Sequence, residues 1–237
     1  MKPDYGIDAP NVVRNLFLFS LILAALACLS FLIQNAVWFW IAFLYSFPTC
    51  LALLITGCWM LYGIKITKPR VALKMIQNLE LKGHEKVLDL GCGRGLLLCK
   101  IAQYLPQGMA HGIDLWSTKD QSGNSLETTI QNADLEGVKS RVAVQTEDVC
   151  FLSFSDNSFD AVVSCLCLHN IKEKPQREKA LAEMLRVLKS GGRFAVADIQ
   201  RGKEYVDFLS AKGIRVKCSK PNYAYCPPLY IVEGEKL

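Results

Sequence analysis

The feature that most constrains this chain is a long block without charge. Between Leu16 and Ile64 the sequence contains no Asp, Glu, Lys, Arg or His, and most of its side chains are apolar. Of the 27 Lys/Arg and 22 Asp/Glu residues, all but four follow this block, so the overall 51% of hydrophobic residues averages two unlike parts. This division excludes a disordered chain, a fibrous chain and a single uniform globule.

The block predicts two membrane-spanning helices. As a helix, Leu16–Ile33 would be about 27 Å long and Ala36–Ile64 about 43 Å, against a hydrocarbon core of about 30 Å. Only Gln34 and Asn35 separate the two runs. The second run is long enough to tilt, and its aromatic residues near the ends suit the membrane interfaces.

Basic residues flank the outer ends of this pair: Arg14, Lys65, Lys68 and Arg70. The positive-inside rule therefore predicts a cytoplasmic segment over 1–14, a membrane hairpin over 15–65 and a cytoplasmic domain over 66–237. A cleaved signal peptide and a helical pair buried in a core are the other interpretations. Asp4 and Asp8 do not suit the cationic start of a signal peptide, and a second apolar run stands where a mature domain would begin.

Charge and cysteine content narrow the partners. The net charge of +5 falls wholly after the block, with no basic run, so we expect no nucleic acid partner. The ten cysteines lie largely in the block and in predicted core elements, which favours reduced thiols over disulfides. A zinc site would need four cysteines whose spacing matches no usual ligand pattern, so we expect no metal. These four are Cys165, Cys167, Cys218 and Cys226.

Strand and helix patterns alternate after the block. Strands are predicted at 86–90, 109–115, 141–148, 159–168, 193–199, 214–218 and 229–233. Helices are predicted at 96–105, 124–137, 176–189 and 203–212. A capping box over Asn124–Glu127 opens the second helix, and Gly191 with Gly192 ends the third. This alternation is typical of a doubly wound α/β sheet, which binds ligands at the carboxyl ends of its central strands.

The strongest functional signal directly follows the first strand, in the segment Val87-Leu-Asp-Leu-Gly-Cys-Gly-Arg-Gly95. Its three glycines allow a sharp turn, bring bare backbone against a ligand and begin a helix. Asp89 supplies a carboxylate at the same point, and Leu96 stands where a dinucleotide-binding loop has Gly or Ala. We therefore expect a ligand that carries a cation rather than a pyrophosphate.

With this loop, the sequence resembles the class I S-adenosylmethionine-dependent methyltransferases over residues 70–237. The resemblance implies a seven-stranded Rossmann-like sheet whose last strand is antiparallel. It also implies that the loop cradles the methionine end of S-adenosylmethionine, through Asp89, Gly91, Cys92, Gly93 and Gly95. Asp114, followed by Leu115, would hold the ribose hydroxyls, and Asp148, followed by Val149, would meet the adenine amino group.

The reaction of that family is an in-line SN2 transfer of a methyl group from sulfonium sulfur to a nucleophile. The protein contributes alignment and, where the nucleophile is protonated, a base. His169 and Asn170 follow the fourth strand, which faces the methyl group in this fold. We expect His169 to act as a base or a hydrogen-bond donor to the acceptor, with Asn170 beside it, the alternative for both being a structural role.

The sequence allows two interpretations for each of two side chains near the glycine loop. Trp116 begins a long polar segment, 116–124, that either orders over the cofactor with the indole beside adenine or is only a connection. Arg94 either pairs with the carboxylate of the cofactor or is solvated.

Together, these patterns predict a membrane-anchored S-adenosylmethionine-dependent methyltransferase with a small-molecule or lipid-like acceptor. One alternative is an NAD(P)-dependent Rossmann oxidoreductase, against which Leu96 and the closing strand pair argue. Another is a catalytically silent membrane protein that binds S-adenosylmethionine.

Overall fold

Two long apolar helices precede an α/β domain in the computed structural model, which describes residues 2–237. Helix α1 spans Pro10–Ser30 and helix α2 spans Ala36–Tyr62. Asn35 caps α2, because its side-chain oxygen accepts the backbone N–H groups of Val37 and Trp38. Helix α1 begins six residues before the predicted span. Its first turn contains a proline, whose missing N–H has no partner to lose at that position of a helix.

The second helix does not end where the apolar run ends. A π turn, Gly63–Thr67, leads directly into helix α3, Lys68–Leu79, and the three segments form one continuous helix of 44 residues. The predicted boundary between positions 65 and 66 thus lies inside a helix. Membrane-length apolar sequence and amphipathic sequence follow one another without a break, which a hydropathy pattern alone does not reveal.

Helices α1 and α2 are each long and apolar enough to cross a membrane, and most of their side chains are exposed. Exposure of this kind argues against a helical pair buried in a core. The N-terminal end of α1 and the C-terminal end of α2, however, pack against the α/β domain. Val13 and Ile64 belong to the same apolar cluster as Met75 of α3.

Seven strands form one sheet in the order β3-β2-β1-β4-β5-β7-β6, and only β7 runs against the others. The strands are β1 Lys86–Leu90, β2 Met109–Asp114, β3 Val142–Thr146, β4 Phe159–Cys165, β5 Leu188–Asp198, β6 Arg215–Cys218 and β7 Tyr230–Glu235. The helices between them are α4 Leu96–Gln103, α5 Leu126–Leu135, α6 Lys174–Val187 and α7 Gly202–Ala211. The predicted fold class is confirmed, and the strand order reverses between β1 and β4, where such sheets bind ligands.

Two local predictions were wrong. Ser125 rather than Asn124 caps α5, because its hydroxyl accepts the N–H of Thr128, whereas the Asn124 amide turns toward Asp114. The glycine pair does not end α6: the helix stops at Val187, and Gly191 with Gly192 lies inside β5. Strand pairing accounts for this, since β5 already pairs with β4 at position 188 and then shifts register.

Candidate active site

A cavity of about 360 Å³ lies at the carboxyl edge of the sheet. The predicted cofactor residues that line it are Asp89, Gly91, Cys92, Gly93, Asp114, Leu115, Asp148 and Val149. Both predicted catalytic residues, His169 and Asn170, line the same cavity. Gly95 is the exception: it caps α4 with φ 86°, and a Cβ there would lie 3.0 Å from Cγ2 of Thr129. Its role in the structure is therefore close packing between α4 and α5.

The loop after β1 has a backbone that only glycine adopts without strain. Gly91 has φ 71° and Gly93 has φ 53°, both in the left-handed region. A Cβ on Gly91 would collide with the Sγ atom of Cys167, and one on Gly93 with Oε1 of Gln121. The loop turns over the end of β2, where the N–H groups of Gly91 and Cys92 donate to the carbonyl of Ile113 at 2.9 and 3.0 Å.

Asp114, at the end of β2, is held by the elements that surround the cavity. Its Oδ2 accepts the N–H of Gly93 at 2.8 Å. Its Oδ1 accepts the N–H of Trp116 at 2.6 Å and the side-chain amide of Asn124 at 3.1 Å. A carboxylate offers about four acceptor positions, so this one retains capacity for a further donor such as a ribose hydroxyl.

Asp89 has the opposite environment. It is 1% exposed, and neither carboxylate oxygen has a hydrogen-bond partner among residues 2–237. Burial, reinforced by the negative charge of Asp114, raises the pKa of Asp89 to about 8. A buried carboxylate without partners is unfavourable, and a cationic group entering the cavity would relieve that cost. The methionine end of S-adenosylmethionine carries such cations, so the chemistry of this site fits the cofactor.

His169 faces an acidic residue that sequence reasoning missed. It lies in a 3-10 turn, Leu168–Asn170, and its Nδ1 is 2.5 Å from Oδ1 of Asp198 at the end of β5. The other oxygen of Asp198 accepts the backbone N–H of His169 at 2.9 Å and the hydroxyl of Tyr205 at 3.2 Å. The backbone hydrogen bond fixes the turn that carries His169, and the imidazole lies against the carboxylate of Asp198 in the wall of the cavity. The sequence does contain a signal for this residue, because Asp198 lies at the carboxyl end of the predicted strand 193–199.

The segment after Asn170 is held by a buried arginine. Arg177 of α6 donates from Nη1 to the carbonyls of Ile171 and Lys172, both at 2.7 Å, and pairs with Glu204 at 2.8 Å. Its side chain is 2% exposed, so the ion pair is largely shielded from water. Arg177 thus positions the backbone that carries His169 and Asn170.

Asp8, in the N-terminal segment, joins three parts of the cavity wall. Both of its oxygens accept from Nζ of Lys68, at 2.7 and 2.8 Å. They also accept from the side-chain amide of Gln121 at 3.3 Å and the hydroxyl of Tyr225 at 3.2 Å. Burial disfavours the charged form of Lys68, but the carboxylate of Asp8 and the other acidic groups nearby together raise the pKa of Lys68. None of these contacts was predicted, and all four side chains line the cavity.

The polar segment 116–124 contributes to the cavity, but not through its tryptophan. Trp116 lies outside the lining residues, and its indole N–H donates to the hydroxyl of Thr146 at 2.7 Å. Arg94 has neither of its two expected roles. Its side chain is 13% exposed and binds Asp4 at 3.0 Å and the carbonyl of Ser122 at 2.9 Å, so it anchors the N-terminal segment.

The cysteine residues give no sign of a metal centre in the part of the chain that the structure describes. No group of three or more His, Cys, Asp or Glu side chains is placed to hold a metal ion within residues 2–237. All ten cysteines are free thiols. Burial raises the pKa of Cys165, which lines the cavity, to about 12 and therefore keeps its thiol protonated.

Comparisons with known proteins agree with this geometry. Residues 87–192 match a family model described as a methyltransferase domain. The methyltransferase GfsG of Streptomyces halstedii is 32% identical over 130 residues, which cover 55% of this chain and 43% of that protein. A 2-phytyl-1,4-naphtoquinone methyltransferase of Nostoc punctiforme is 34% identical over 121 residues, which cover 51% of this chain and 49% of that protein. The matches thus span less than half of the length of these relatives.

The fold agrees as well. A crystal structure of a SAM-dependent methyltransferase from Aquifex aeolicus superposes with a TM-score of 0.57 at 20% identity, covering 70% of this chain and 89% of that one. At this identity the match concerns the fold alone. The family match and the named relatives support the methyltransferase family predicted from the sequence, and the shared fold agrees with it. Residues 87–192 of the chain therefore match a methyltransferase domain, in a fold similar to that of the S-adenosylmethionine-dependent methyltransferases.

Proposed function

We propose that this protein is a membrane-anchored methyltransferase that transfers the methyl group of S-adenosylmethionine to a small-molecule or lipid-like acceptor. The observation that carries the proposal is one cavity that contains both a buried carboxylate without a partner among residues 2–237, Asp89, and an imidazole that lies beside an aspartate, His169 with Asp198. The first suits a cationic cofactor, and the second suits removal of a proton from an acceptor.

In the bound state, Asp89 and the backbone of Gly91 and Gly93 would hold the methionine end of the cofactor. Asp114 would hold the ribose, and Asp148 with Val149 would lie at the adenine. When bound, S-adenosylmethionine supplies an activated methyl group. The chain's contribution is then to exclude water, to align the acceptor and to receive its proton.

His169 would accept that proton at Nε2. The negative charge of Asp198 beside Nδ1 would stabilise the resulting imidazolium, as carboxylates do for other catalytic histidines. An oxygen or nitrogen acceptor would give its proton to Nε2 of His169 as it takes the methyl group that the cofactor supplies, and the electron pair of the broken carbon–sulfur bond would return to sulfur. Asn170 lines the same part of the cavity and would orient the acceptor.

Membrane attachment is supported by the two exposed apolar helices and by what surrounds them. Trp59 and Tyr62, near the end of α2, are 40% and 47% exposed and suit the membrane interface. Lys65 and Arg70 follow within the next turns and suit an anionic inner surface. We therefore place both termini and the α/β domain on the cytoplasmic side, with the hairpin as a two-span anchor. The named acceptor of the Nostoc relative, a phytyl naphthoquinone, is lipid-like and supports an acceptor of that kind.

A methyl-transfer assay on the full chain tests the proposal. The protein, in lipid nanodiscs, is incubated with S-adenosylmethionine labelled in its methyl group and with a total lipid extract, and label is counted in the organic and aqueous phases. We expect labelled product with the parent chain and a loss of at least tenfold with Gly93→Ala. Gly137→Ala is the matched control, because Gly137 also has a positive φ but open space around it.

The assay separates the proposal from its alternatives. Cofactor binding without product in either phase would indicate a silent binding protein. Absence of binding by the parent chain, measured by calorimetry, would reject the proposal altogether. Stabilisation by a nicotinamide nucleotide, and not by S-adenosylmethionine, would favour an oxidoreductase.

A further inference from the structure

The membrane helix itself forms part of the cavity. Met60, on the last turn of α2, and Ile64, in the π turn, both line it. Tyr225, Cys226 and Pro227, from the connection between β6 and β7, also line it. A site that served only water-soluble ligands would need no wall from a membrane-length helix.

The connection between β6 and β7 is attached to one side of that helix. The indole N–H of Trp59 donates to the carbonyl of Tyr223 at 3.0 Å. Four residues later, Gly63 lies against Tyr225, whose ring Cδ2 would be 3.1 Å from a Cβ at Gly63. After four more residues, the hydroxyl of Thr67 donates to the carbonyl of Ala224 at 2.8 Å. These contacts form a seam between the helix and residues 223–225.

The seam lies at the level expected for the membrane interface. Three exposed aromatic side chains surround it: Trp59, Tyr62 and Tyr223. Aromatic side chains with one polar atom concentrate at that depth. Lys65 and Arg70 follow on the side of the α/β domain, where anionic head groups would face them.

The lining of the cavity contains both apolar and polar groups. Met60, Ile64 and Pro227 contribute hydrocarbon, whereas the Lys68–Asp8 ion pair and His169 contribute polar groups. A volume of about 360 Å³ must accommodate the cofactor as well as the reacting end of an acceptor. A long hydrocarbon chain would therefore have to remain outside the cavity.

From these observations we infer that the acceptor is a membrane amphiphile that enters from the bilayer beside the seam, between Met60 of α2 and Cys226 with Pro227. Its polar head, which carries the nucleophile, would reach His169, and its hydrocarbon tail would stay in the membrane. This inference rests on the proposed methyltransferase function and specifies the class and the route of its acceptor.

Photolabelling of the full chain in nanodiscs tests the route without knowledge of the natural acceptor. The probe is a long-chain fatty alcohol that carries a diazirine near its hydroxyl end, and labelled peptides are identified by mass spectrometry. We expect label within residues 60–64 and 223–227, in addition to the exposed apolar surface of α2, which serves as an internal reference. Ile64→Trp should fill the entrance and reduce the label in 223–227 at least fivefold. Ile66→Trp is the matched control, because Ile66 is 40% exposed and does not line the cavity.

The same two variants separate failure of the route from failure of the function. We expect Ile64→Trp to lower organic-soluble methylated product at least tenfold, with the affinity for S-adenosylmethionine unchanged, which also shows that the site is folded. If Ile64→Trp loses the ability to bind S-adenosylmethionine, Met60→Trp, at the same entrance, is tested in its place. Equal activity of the two tryptophan variants, or labelled product only in the aqueous phase, would overturn the route and leave the methyltransferase function intact. Absence of any product from the parent chain would instead reject the function on which the route depends.

Discussion

Replacing Asp89 by Asn removes a buried carboxyl group that can take up and release a proton, and keeps the size of the side chain. This carboxylate has no hydrogen-bond partner among residues 2–237, and burial raises its pKa to about 8 from an ordinary value of 3.8. The folded chain therefore holds a proton at neutral pH that the unfolded chain releases. We expect the parent protein, but not the Asn variant, to become less stable as the pH rises toward 8.

The magnitude follows from proton linkage. Between pH 5 and pH 7 the carboxyl is ionised in the unfolded chain and protonated in the folded chain, so the folded state binds one more proton. The free energy of unfolding then falls by about 1.4 kcal/mol for each pH unit. Over this interval, the parent protein should lose about 3 kcal/mol relative to Asp89→Asn. The cost of burying the Asn side chain in the variant does not depend on pH, so it does not affect this difference between pH 5 and pH 7.

Urea unfolding of the full chain in detergent micelles, at pH 5, 6 and 7, measures the effect. Asp207→Asn, at an exposed position of α7, is the matched control and should follow the parent protein. S-adenosylmethionine should release the proton on binding, so its affinity should rise with pH more steeply for the parent protein than for Asp89→Asn. A stability difference between the parent and Asp89→Asn that does not change from pH 5 to pH 7 would refute this account of the carboxylate.

Three further substitutions test other parts of the site. Asp114→Ala should raise the Kd for S-adenosylmethionine at least tenfold in calorimetry, and an unchanged Kd would contradict its position at the ribose. Asp198→Asn should lower methyl transfer about 100-fold with cofactor affinity unchanged, because the charge that stabilises protonated His169 is lost. Equal activity of Asp198→Asn and the parent protein at every pH would show that His169 acts without the charge of Asp198. Arg177→Met should lower the free energy of unfolding by about 3 kcal/mol, since the Glu204 carboxylate and two backbone carbonyls lose their donor. If the variant unfolds at the same temperature as the parent protein, Arg177 does not hold this segment.

Local signals account for most of what the sequence predicted. The turn after β1 requires glycine at Gly91 and Gly93, and this requirement is visible in the sequence without knowledge of distant contacts. The strands lie within a few residues of their predicted positions because each is a short apolar run with clear ends. Where a strand begins depends on its neighbour, and β5 therefore starts five residues earlier than its apolar run suggests.

The missed contacts depend on partners that are remote in sequence. Lys68 was interpreted as a basic flank of the membrane helix, yet its side chain is 10% exposed and its charge is paired with Asp8. Asp8 itself counted only as an argument against a signal peptide. Neither local pattern nor charge sign indicates that residues 60 positions apart share a cavity wall, because that contact arises only when the long helix and the sheet have packed.

The contacts of Asp8 also determine how this protein can be divided for experiments. A fragment that begins at residue 66 would be attractive for crystallisation, since it omits both greasy helices and retains every residue of the family match. Such a fragment would leave the Lys68 ammonium without its counter-charge and would remove four residues that line the cavity: Asp8, Ala9, Met60 and Ile64. Its cavity would be open to water on the side where we propose that the acceptor enters. Activity measured on the fragment would therefore report on a cavity that differs from the cavity of the whole chain.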